Sequence, residues 1–146
     1  MKTVDISEKP PMHRTAVAEG RLSLNVETII AINEGKVKKG DPFKIAECAA
    51  LLAVKKTPDL IPHCHNIPIS SICIEFSIVD AEIICTCTVK SYYSTGVEME
   101  ALVGVSVALL TVWDMVKYLE KNQDGQYPGT AITDIKVLKK LKEANL

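Results

Sequence analysis

Residues 72–89 read ICIEFSIVDAEIICTCTV, and this stretch decides the fold. Apolar residues occupy alternate positions from Ile72 to Ile78 and, beyond Asp80-Ala81, again from Ile83 to Val89. Because side chains of a strand alternate between its two faces, this period of two predicts two strands. The stretch therefore predicts a β-hairpin that turns at Asp80-Ala81.

The chain upstream of the hairpin predicts one strand followed by two helices. The strand is expected over Thr15 to Leu24, and a short helix over Asn25 to Glu34. Asp41-Pro42 begins the second helix, because the carboxylate can cap free amides where proline needs no donor. Its apolar stripe is predicted at three positions: Ile45, Ala49 and Leu52.

Downstream of the hairpin, one long helix and a last strand are expected. Thr95-Gly96-Val97-Glu98 has the spacing of a capping box, which predicts a helix from there to about Glu120. Ile132 to Leu138 alternates weakly, as a final strand would. The order of elements predicts an α+β fold, a ferredoxin-like βαββαβ sandwich with helices on one face of an antiparallel sheet. At 146 residues, one domain spanning 1–146 is expected.

Charge and composition exclude some classes of function. The formal net charge of -1 provides no general attraction to nucleic acid or to an acidic membrane surface. Residues 1–5 lack an apolar core segment, and the apolar run from Ala101 to Trp113 is too short to span a bilayer. We therefore expect a cytoplasmic protein without a nucleic-acid or membrane partner.

The five cysteines predict a reducing environment, because an odd number in a chain of this size fits free thiols better than disulfides. Cys85 and Cys87 lie two residues apart on a predicted strand and point to the same face. They are expected to pack as small apolar side chains, as are Cys48 and Cys73.

Charged residues interrupt the long apolar helix. Glu100, Asp114 and Lys117 fall in one sector of this helix, where the small residue Gly104 would let a ligand or a partner chain approach. Asp114 and Lys117 could form an acid/base couple, with the carboxylate accepting a proton and the ammonium donating one or stabilising an oxyanion. They could equally be an ordinary surface ion pair one turn apart, and spacing leaves both open.

The loop 62–68, bracketed by prolines, carries His63, Cys64 and His65. Two imidazoles and a thiol, with Glu98 or Glu100 as a further ligand, predict one alternative: a metal-dependent hydrolase or metal-binding protein using His63, His65 and Glu100. Histidines and loop amides could instead hold a phosphate or a purine edge, or one histidine could be exposed and the other packed. The spacing does not separate these interpretations.

Five cations lie near the ends of predicted elements. They are Arg14, Lys39, Lys55, Lys56 and Lys140. They could converge on an anion or be solvated singly.

Several motifs in combination resemble one family, cyclic pyranopterin monophosphate synthase (molybdenum cofactor biosynthesis protein C). They are Val4-Asp5-Ile6-Ser7, Lys39-Gly40-Asp41, Leu60-Ile61-Pro62-His63-Cys64-His65, Thr95-Gly96-Val97-Glu98-Met99-Glu100-Ala101-Leu102 and Trp113-Asp114-Met115-Val116-Lys117. The resemblance runs from about Val4 to Lys140.

This resemblance implies an enzyme that converts (8S)-3′,8-cyclo-7,8-dihydroguanosine 5′-triphosphate into cyclic pyranopterin monophosphate with release of pyrophosphate, an early step of molybdopterin synthesis. It also implies a ferredoxin-like subunit, a homohexamer built as a trimer of dimers, and active sites at subunit interfaces. It implies no cofactor beyond magnesium that accompanies the triphosphate.

By position, Asp114 matches the family's catalytic aspartate and Lys117 its partner lysine. His63-Cys64-His65 and Met99-Glu100 match its substrate-contacting segments. The basic residues that match its pocket are Arg14, Lys39, Lys55 and Lys140. Several cations suit this chemistry, because a triphosphate must be held and pyrophosphate must leave.

Two features depart from the family pattern. Members commonly have leucine before the Cys-His pair and proline after it, where this chain has His63 and Asn66. Many end in a tail rich in lysine, serine and glycine, whereas here Lys140 is soon followed by the last residue, Leu146.

Overall fold

The protein, described by a computed structural model over residues 1–144, consists of a four-stranded antiparallel sheet covered on one face by helices. The strands are β1 (Met12–Ser23), β2 (Ile69–Val79), β3 (Glu82–Tyr93) and β4 (Ala131–Glu143). The helices are α1 (Val26–Asn33), α2 (Pro42–Lys55), α3 (Thr57–Leu60) and α4 (Glu98–Glu120). The sheet order β2-β3-β1-β4 confirms the predicted ferredoxin-like sandwich, with α1 and α3 as additional short helices.

The central strands bury one face of the sheet. Every second residue is buried along most of β1 and β3, and antiparallel pairing sets Ala18 opposite Cys87 and Leu22 opposite Ile83. The predicted hairpin turn is confirmed: Asp80 has a φ of 54°, a conformation that aspartate tolerates better than most residues. The alternation over residues 72–89 therefore sets the hairpin and its buried face.

Two of the cysteines belong to this buried layer. Burial raises the pKa of Cys85 and of Cys87 to about 12, so both remain thiols at neutral pH. The prediction was wrong for Cys48 and Cys73, which are exposed. Cys73 pairs with Thr88 on the face of the sheet opposite the buried side chains. The alternation from Ile72 to Ile78 also puts Cys73 on that face, so the error came from the apolar character of cysteine and not from the pattern.

Gly104 marks a close approach of α4 to its neighbours. A Cβ at this position would lie 2.7 Å from the Cys87 Sγ of β3 and 2.9 Å from a methyl group of Val54 in α2. The expectation that Gly104 would admit a ligand or a partner chain was therefore wrong. The glycine is buried, and it serves packing inside the domain.

The face that α2 buries consists mainly of small side chains. Ala46 and Ala50 are completely buried, whereas Ile45 and Leu52, predicted to form the apolar stripe, are 49% and 61% exposed. Ala49 is half-buried. The prediction was wrong because a helix that packs closely on α4 must present small residues, since side-chain size sets the distance between helix axes.

The two long helices begin differently. Asp41 caps α2 as predicted, since its carboxylate accepts hydrogen bonds from two amides of the first turn. The capping box predicted at Thr95 does not form, because α4 begins at Glu98 and the residue before it, Val97, provides no side-chain cap. The Glu98 carboxylate pairs instead with Lys140 of β4.

Glu120 joins parts of the chain that are distant in sequence. It is 2% exposed at the end of α4, and its carboxylate accepts hydrogen bonds from the Asn25 N–H at 3.0 Å, from the Thr28 hydroxyl and from the Thr130 hydroxyl at 2.5 Å. Asn25 directly precedes α1 and does not cap that helix with its own side chain. Glu120 therefore accepts hydrogen bonds from polar groups at the start of α1, where its negative charge also interacts favourably with the helix dipole.

By length and composition α4 is long enough to cross a membrane, because the helix extends beyond the apolar run from Ala101 to Trp113. Half of its most apolar window is buried within the domain. It is packed as the core helix between the sheet and α2.

Candidate active site

Most of the predicted substrate-binding residues gather at the N-terminal end of α4. Two adjoining cavities, of about 330 and 160 Å³, share Glu100 and Ile67 in their walls. The first is also lined by Val54, Lys55, Pro58, Asn66 and Pro68. The second is lined by His63, Cys64, His65, Thr95, Gly96, Glu98 and Met99. We call the two cavities together the loop cleft.

Glu100 is the buried acid of the loop cleft. It is 3% exposed, and burial raises the pKa of its carboxyl, with the nearby charge of Glu98 adding to the rise. Burial and the charge of Glu100 likewise raise the pKa of Cys64. Glu100 therefore takes up a proton at a higher pH than an exposed glutamate does, while Cys64 stays protonated.

Cations border the cleft on the side of the sheet. Arg14 is 5% exposed and donates hydrogen bonds to the carbonyls of Tyr93 and Ser94, at 3.3 and 3.2 Å. Lys140 pairs with the Glu98 carboxylate. Burial alone would raise the pKa of Glu98, but Lys140 and Arg14 outweigh it and the pKa is lowered. No carboxylate among residues 1–144 forms an ion pair with Arg14, so its charge contributes to a positive potential beside the cleft.

Strand pairing, rather than a C-terminal tail, positions Lys140. It lies opposite Ala16 of β1, whose side chain is buried beneath the helices. Residues that face one another across antiparallel strands point to the same side. Lys140 therefore reaches toward the start of α4, where it pairs with Glu98.

The histidine loop is attached to the rest of the domain on two sides. His65 Nε2 lies 2.7 Å from the Val4 carbonyl, which can only accept a hydrogen bond, so Nε2 carries the proton in this contact. The Ser91 hydroxyl donates to the Pro68 carbonyl at 2.6 Å. His65 is half-buried and His63 is exposed, which corresponds to the interpretation with one packed and one exposed histidine.

A metal site is not supported. Within residues 1–144, no group of three histidine, cysteine, aspartate or glutamate side chains is placed to hold an ion. His63, His65 and Glu100 all line the loop cleft without converging on one point. The alternative of a metal-dependent hydrolase therefore has no structural basis.

A second cluster lies toward the other end of α4 and consists of Asp114, Lys117 and Lys39. Lys117 Nζ is 3.1 Å from Asp114 Oδ1, and Lys39 Nζ is 3.4 Å from Asp114 Oδ2 and 3.1 Å from the Asp114 carbonyl. A hydrogen bond from Lys117, followed by the charge of Lys39, lowers the pKa of Asp114. The three side chains are 43% to 59% exposed, so they are open to a ligand.

These two clusters do not meet within one chain. Glu100 and Asp114 are separated along α4 by about 21 Å, at 1.5 Å of rise per residue. The structure thus places Lys55, the histidine loop and Met99 in the walls of the loop cleft. Arg14 and Lys140 lie beside the cleft, next to Glu98. It places Lys39 with Asp114 and Lys117 instead.

Sequence reasoning missed the contributions of Glu98 and Ser91. Glu98 was predicted to belong to a capping box or to be a metal ligand, whereas its carboxylate forms an ion pair with Lys140 at the cleft. Ser91, 3% exposed, has no sequence feature that distinguishes it from other strand residues, but its hydroxyl donates a hydrogen bond to the Pro68 carbonyl. The four residues Thr95-Gly96-Val97-Glu98 were the available signal, because all but one of them line the cleft.

Comparison with known proteins shows the family of this chain. Residues 3–142 match the MoaC family. A probable cyclic pyranopterin monophosphate synthase of Thermococcus kodakarensis is 55% identical over 142 residues, which cover 97% of this chain and 91% of the relative. One of Pyrococcus abyssi is 53% identical over 97% of this chain and 89% of the relative.

A third relative has a similar degree of identity. The probable cyclic pyranopterin monophosphate synthase of Methanococcoides burtonii is 54% identical over 140 residues, or 96% of this chain and 88% of the relative. The match to the family includes both ends of α4, and with them the loop cleft and the Asp114 cluster. The chain belongs to the MoaC family.

Proposed function

We propose that this protein is a cyclic pyranopterin monophosphate synthase, a lyase of molybdenum cofactor biosynthesis. It converts (8S)-3′,8-cyclo-7,8-dihydroguanosine 5′-triphosphate to cyclic pyranopterin monophosphate and pyrophosphate. The observation that carries the proposal is the identity of 55% with a probable synthase of this name over 97% of the chain. The loop cleft and the Asp114 cluster contain the acids and cations that such a conversion requires.

The loop cleft is the proposed binding site for the nucleotide. Arg14, Lys55 and Lys140 contribute positive charge where a triphosphate must be held, and preorganised cations stabilise a leaving pyrophosphate. His63, Cys64, His65 and Met99 line the part of the cleft next to Glu100. In this proposal they contact the base and the sugar. Lys140 must exchange its bond to Glu98 for one to phosphate when the substrate binds.

The Asp114 cluster is the proposed site of proton transfer. Asp114 is ionised throughout the neutral range because its pKa is lowered, so it is available as a proton acceptor. Lys117 and Lys39 hold its two oxygens and can donate a proton or stabilise a developing oxyanion. Cyclic phosphate formation joins a sugar hydroxyl oxygen to the α-phosphorus and breaks the bond to the β-phosphate, so one proton must leave that hydroxyl.

One active site takes its two parts from two subunits in this proposal. The separation of about 21 Å along α4 supports it, because no single chain places Glu100 near Asp114. Large apolar side chains on the outer surface also support assembly, since Ile45, Leu52 and Leu110 are 49%, 61% and 56% exposed. The proposed assembly is a homohexamer, a trimer of dimers, in the cytoplasm, and the five free thiols suit that compartment.

No redox cofactor takes part in the proposed reaction. The conversion rearranges bonds and expels pyrophosphate, and any magnesium ion arrives with the triphosphate. Lysines engage two carboxylates of the clusters, in the pairs of Glu98 with Lys140 and Asp114 with Lys117, whereas Glu100 has no ion-pair partner among residues 1–144. Arg14 and Lys55 form no ion pair among these residues, so their positive charges can meet the phosphates.

The test is turnover of the cyclised nucleotide by the purified protein, followed by released pyrophosphate and by the pterin product. We expect Asp114→Asn and Lys117→Ala to lower kcat by a factor of about 10² to 10⁴, the usual contribution of a positioned acid or base. Asp124→Asn and Lys121→Ala, which change exposed residues of the same types near the end of α4, should keep wild-type turnover. Wild-type kcat in both cluster variants would remove the assigned roles.

A protein that binds a guanine nucleotide analogue but does not convert the cyclised substrate would contradict the proposed activity. It would identify a binding module built on the same cleft.

A further inference from the structure

The segment between α1 and α2 carries Lys39. Val37, 7% exposed, packs into the core, and the Gly40 N–H donates to the Val37 carbonyl at 3.1 Å. Gly35 and Gly40 have positive φ angles of 68° and 113°, which turn the chain on either side of the lysines. Lys38 and Lys39 therefore project from a tight turn.

Tyr118 of α4 is a further anchor of this turn. Its hydroxyl oxygen accepts a hydrogen bond of 2.8 Å from the Lys38 N–H. The Lys38 ammonium also lies 5.2 Å from the centroid of the Tyr118 ring, within the range of a cation–π interaction. Both the backbone and the side chain of the residue before Lys39 are thus held by one tyrosine.

Tyr118 lies one helical turn after Asp114 and therefore on the same side of α4. Lys39 Nζ reaches back across that turn to the Asp114 carbonyl at 3.1 Å and to Oδ2 at 3.4 Å. The tyrosine and the aspartate consequently hold neighbouring parts of the same segment. Lys39 is long and flexible, so the place of its ammonium depends on where its backbone is fixed.

We propose that Tyr118 is a positioning residue of the active site, whose hydroxyl holds the Lys38-Lys39 backbone so that the Lys39 ammonium stays beside Asp114. The importance of this for turnover rests on the proposed function of Asp114 and Lys39. The geometric part, that Tyr118 determines where Lys39 lies, does not depend on it.

Loss of the Tyr118 hydroxyl should change the pKa of Asp114. Among residues 1–144, the charged groups that face Asp114 are Lys117 from α4 and Lys39 from the turn. Lys117 lowers the Asp114 pKa most, and Lys39 lowers it further. In Tyr118→Phe the Lys38 N–H bonds to water, the turn loosens and Lys39 spends less time beside Asp114. The Asp114 pKa then rises toward its ordinary value, while the retained ring preserves packing.

Titration of Asp114 by carbon-13 NMR in the full-length, ligand-free protein tests this directly. We expect a higher Asp114 pKa in Tyr118→Phe and in Lys39→Met than in the wild type, and no further rise when both changes are combined. Tyr127→Phe is the matched control, because Tyr127 contacts Trp113 through its ring, with the centroids 5.4 Å apart. An unchanged Asp114 pKa in Tyr118→Phe, together with a raised one in Lys39→Met, would overturn the proposal.

Turnover supplies the second measurement. Tyr118→Phe should lose about three- to tenfold in kcat/KM, with the acidic limb of its pH–rate profile moved to higher pH. A kcat/KM equal to that of the wild type across the pH range would overturn the positioning role. If the wild type itself fails to convert the cyclised nucleotide, the proposed function fails, and the NMR titration still decides whether Tyr118 places Lys39.

Discussion

Glu100 and Asp114 project from the same helix about 21 Å apart, and the pKa values of their carboxyl groups are shifted in opposite directions. Glu100 is buried, and its pKa is raised by burial. Asp114 is exposed, and its pKa is lowered by Lys117 and then by Lys39. One end of α4 thus favours a protonated carboxyl and the other a carboxylate, a division of properties that acid/base catalysis uses.

The separation of these two carboxyls predicts complementation between inactive subunits. Asp114→Asn and Glu100→Gln should each be inactive alone, and the two proteins unfolded and refolded together should recover about a quarter of wild-type activity. The fraction follows from random pairing in a two-fold dimer, where half of the dimers are mixed and each contains one intact site. Pyrophosphate release by the mixture measures it.

The control for complementation places both changes in one chain. A protein carrying Asp114→Asn and Glu100→Gln together should restore nothing when refolded with either single variant. Recovery no greater than the sum of the separate variants would mean that each site is built within one chain.

Glu100 is expected to lower the stability of the folded protein at neutral pH. Because its folded pKa is raised above the unfolded value, its contribution to stability is full below the unfolded pKa and is lost as pH rises through the folded pKa. Glu100→Gln should therefore raise the melting temperature by about 2–5 °C at pH 7.5 while abolishing turnover. Below about pH 4, the range of an unperturbed glutamate, the difference should vanish.

Glu98→Gln is the matched comparison for Glu100→Gln, with the opposite sign. The pKa of Glu98 is lowered by Lys140, so removal of its charge costs stability at neutral pH. A melting temperature of Glu100→Gln that lies below the wild type at pH 7.5 would contradict the assigned effect of burial.

The two lysines beside Asp114 should affect the pH–rate profile unequally. Because both lower the Asp114 pKa, loss of either moves the acidic limb of the profile to higher pH. Lys117→Met should move it further than Lys39→Met, because the hydrogen bond from Lys117 is the largest cause of the shift. The residual activity of each variant, measured from pH 3 to 9, provides the comparison, and the reverse order would contradict it.

Gly104 is expected to tolerate no added methyl group. Gly104→Ala places a Cβ 2.7 Å from Cys87 Sγ and 2.9 Å from Val54, so α2 or β3 must shift, at a cost of about 1–3 kcal/mol in the free energy of unfolding. Urea denaturation measures the loss. Ser106→Ala, at a half-buried position of the same helix, should change stability by less than about 0.5 kcal/mol.

Relief of the clash identifies its source. Adding Cys87→Ala removes the sulfur that the new methyl group would meet, so the double variant should be more stable than the sum of the single changes predicts. Wild-type stability in Gly104→Ala would show that the helices can move apart freely.

The strands and the order of the elements could be predicted because their signals are local. The alternation over residues 72–89 is complete within the hairpin itself, and strand order then follows from few topologies. The buried face of α2 could not be predicted from its own residues. Large apolar side chains at Ile45 and Leu52 satisfied the helical period, whereas the close approach at Gly104 demanded the alanines.

In the candidate site, too, contacts between residues distant in sequence could not be predicted. Motifs identified the histidine loop and Asp114, yet they did not reveal that Glu98 neutralises Lys140 or that Lys39 lies beside Asp114. These contacts join residues far apart in the chain, and only the fold decides them. The spacing of Asp114 and Lys117 was sufficient for their own contact, because one helical turn brings them together.

The carboxylate of Glu120 has a consequence for protein synthesis. It accepts a hydrogen bond from the N–H of Asn25, which leaves the ribosome 95 residues earlier. At about 5–20 residues per second, α1 therefore lacks this partner for roughly 5–20 s. A helix of 8 residues is not stable by itself during this interval. The first helix to be translated is therefore among the last to become stable, and folding of the N-terminal third is completed only when the end of α4 has emerged.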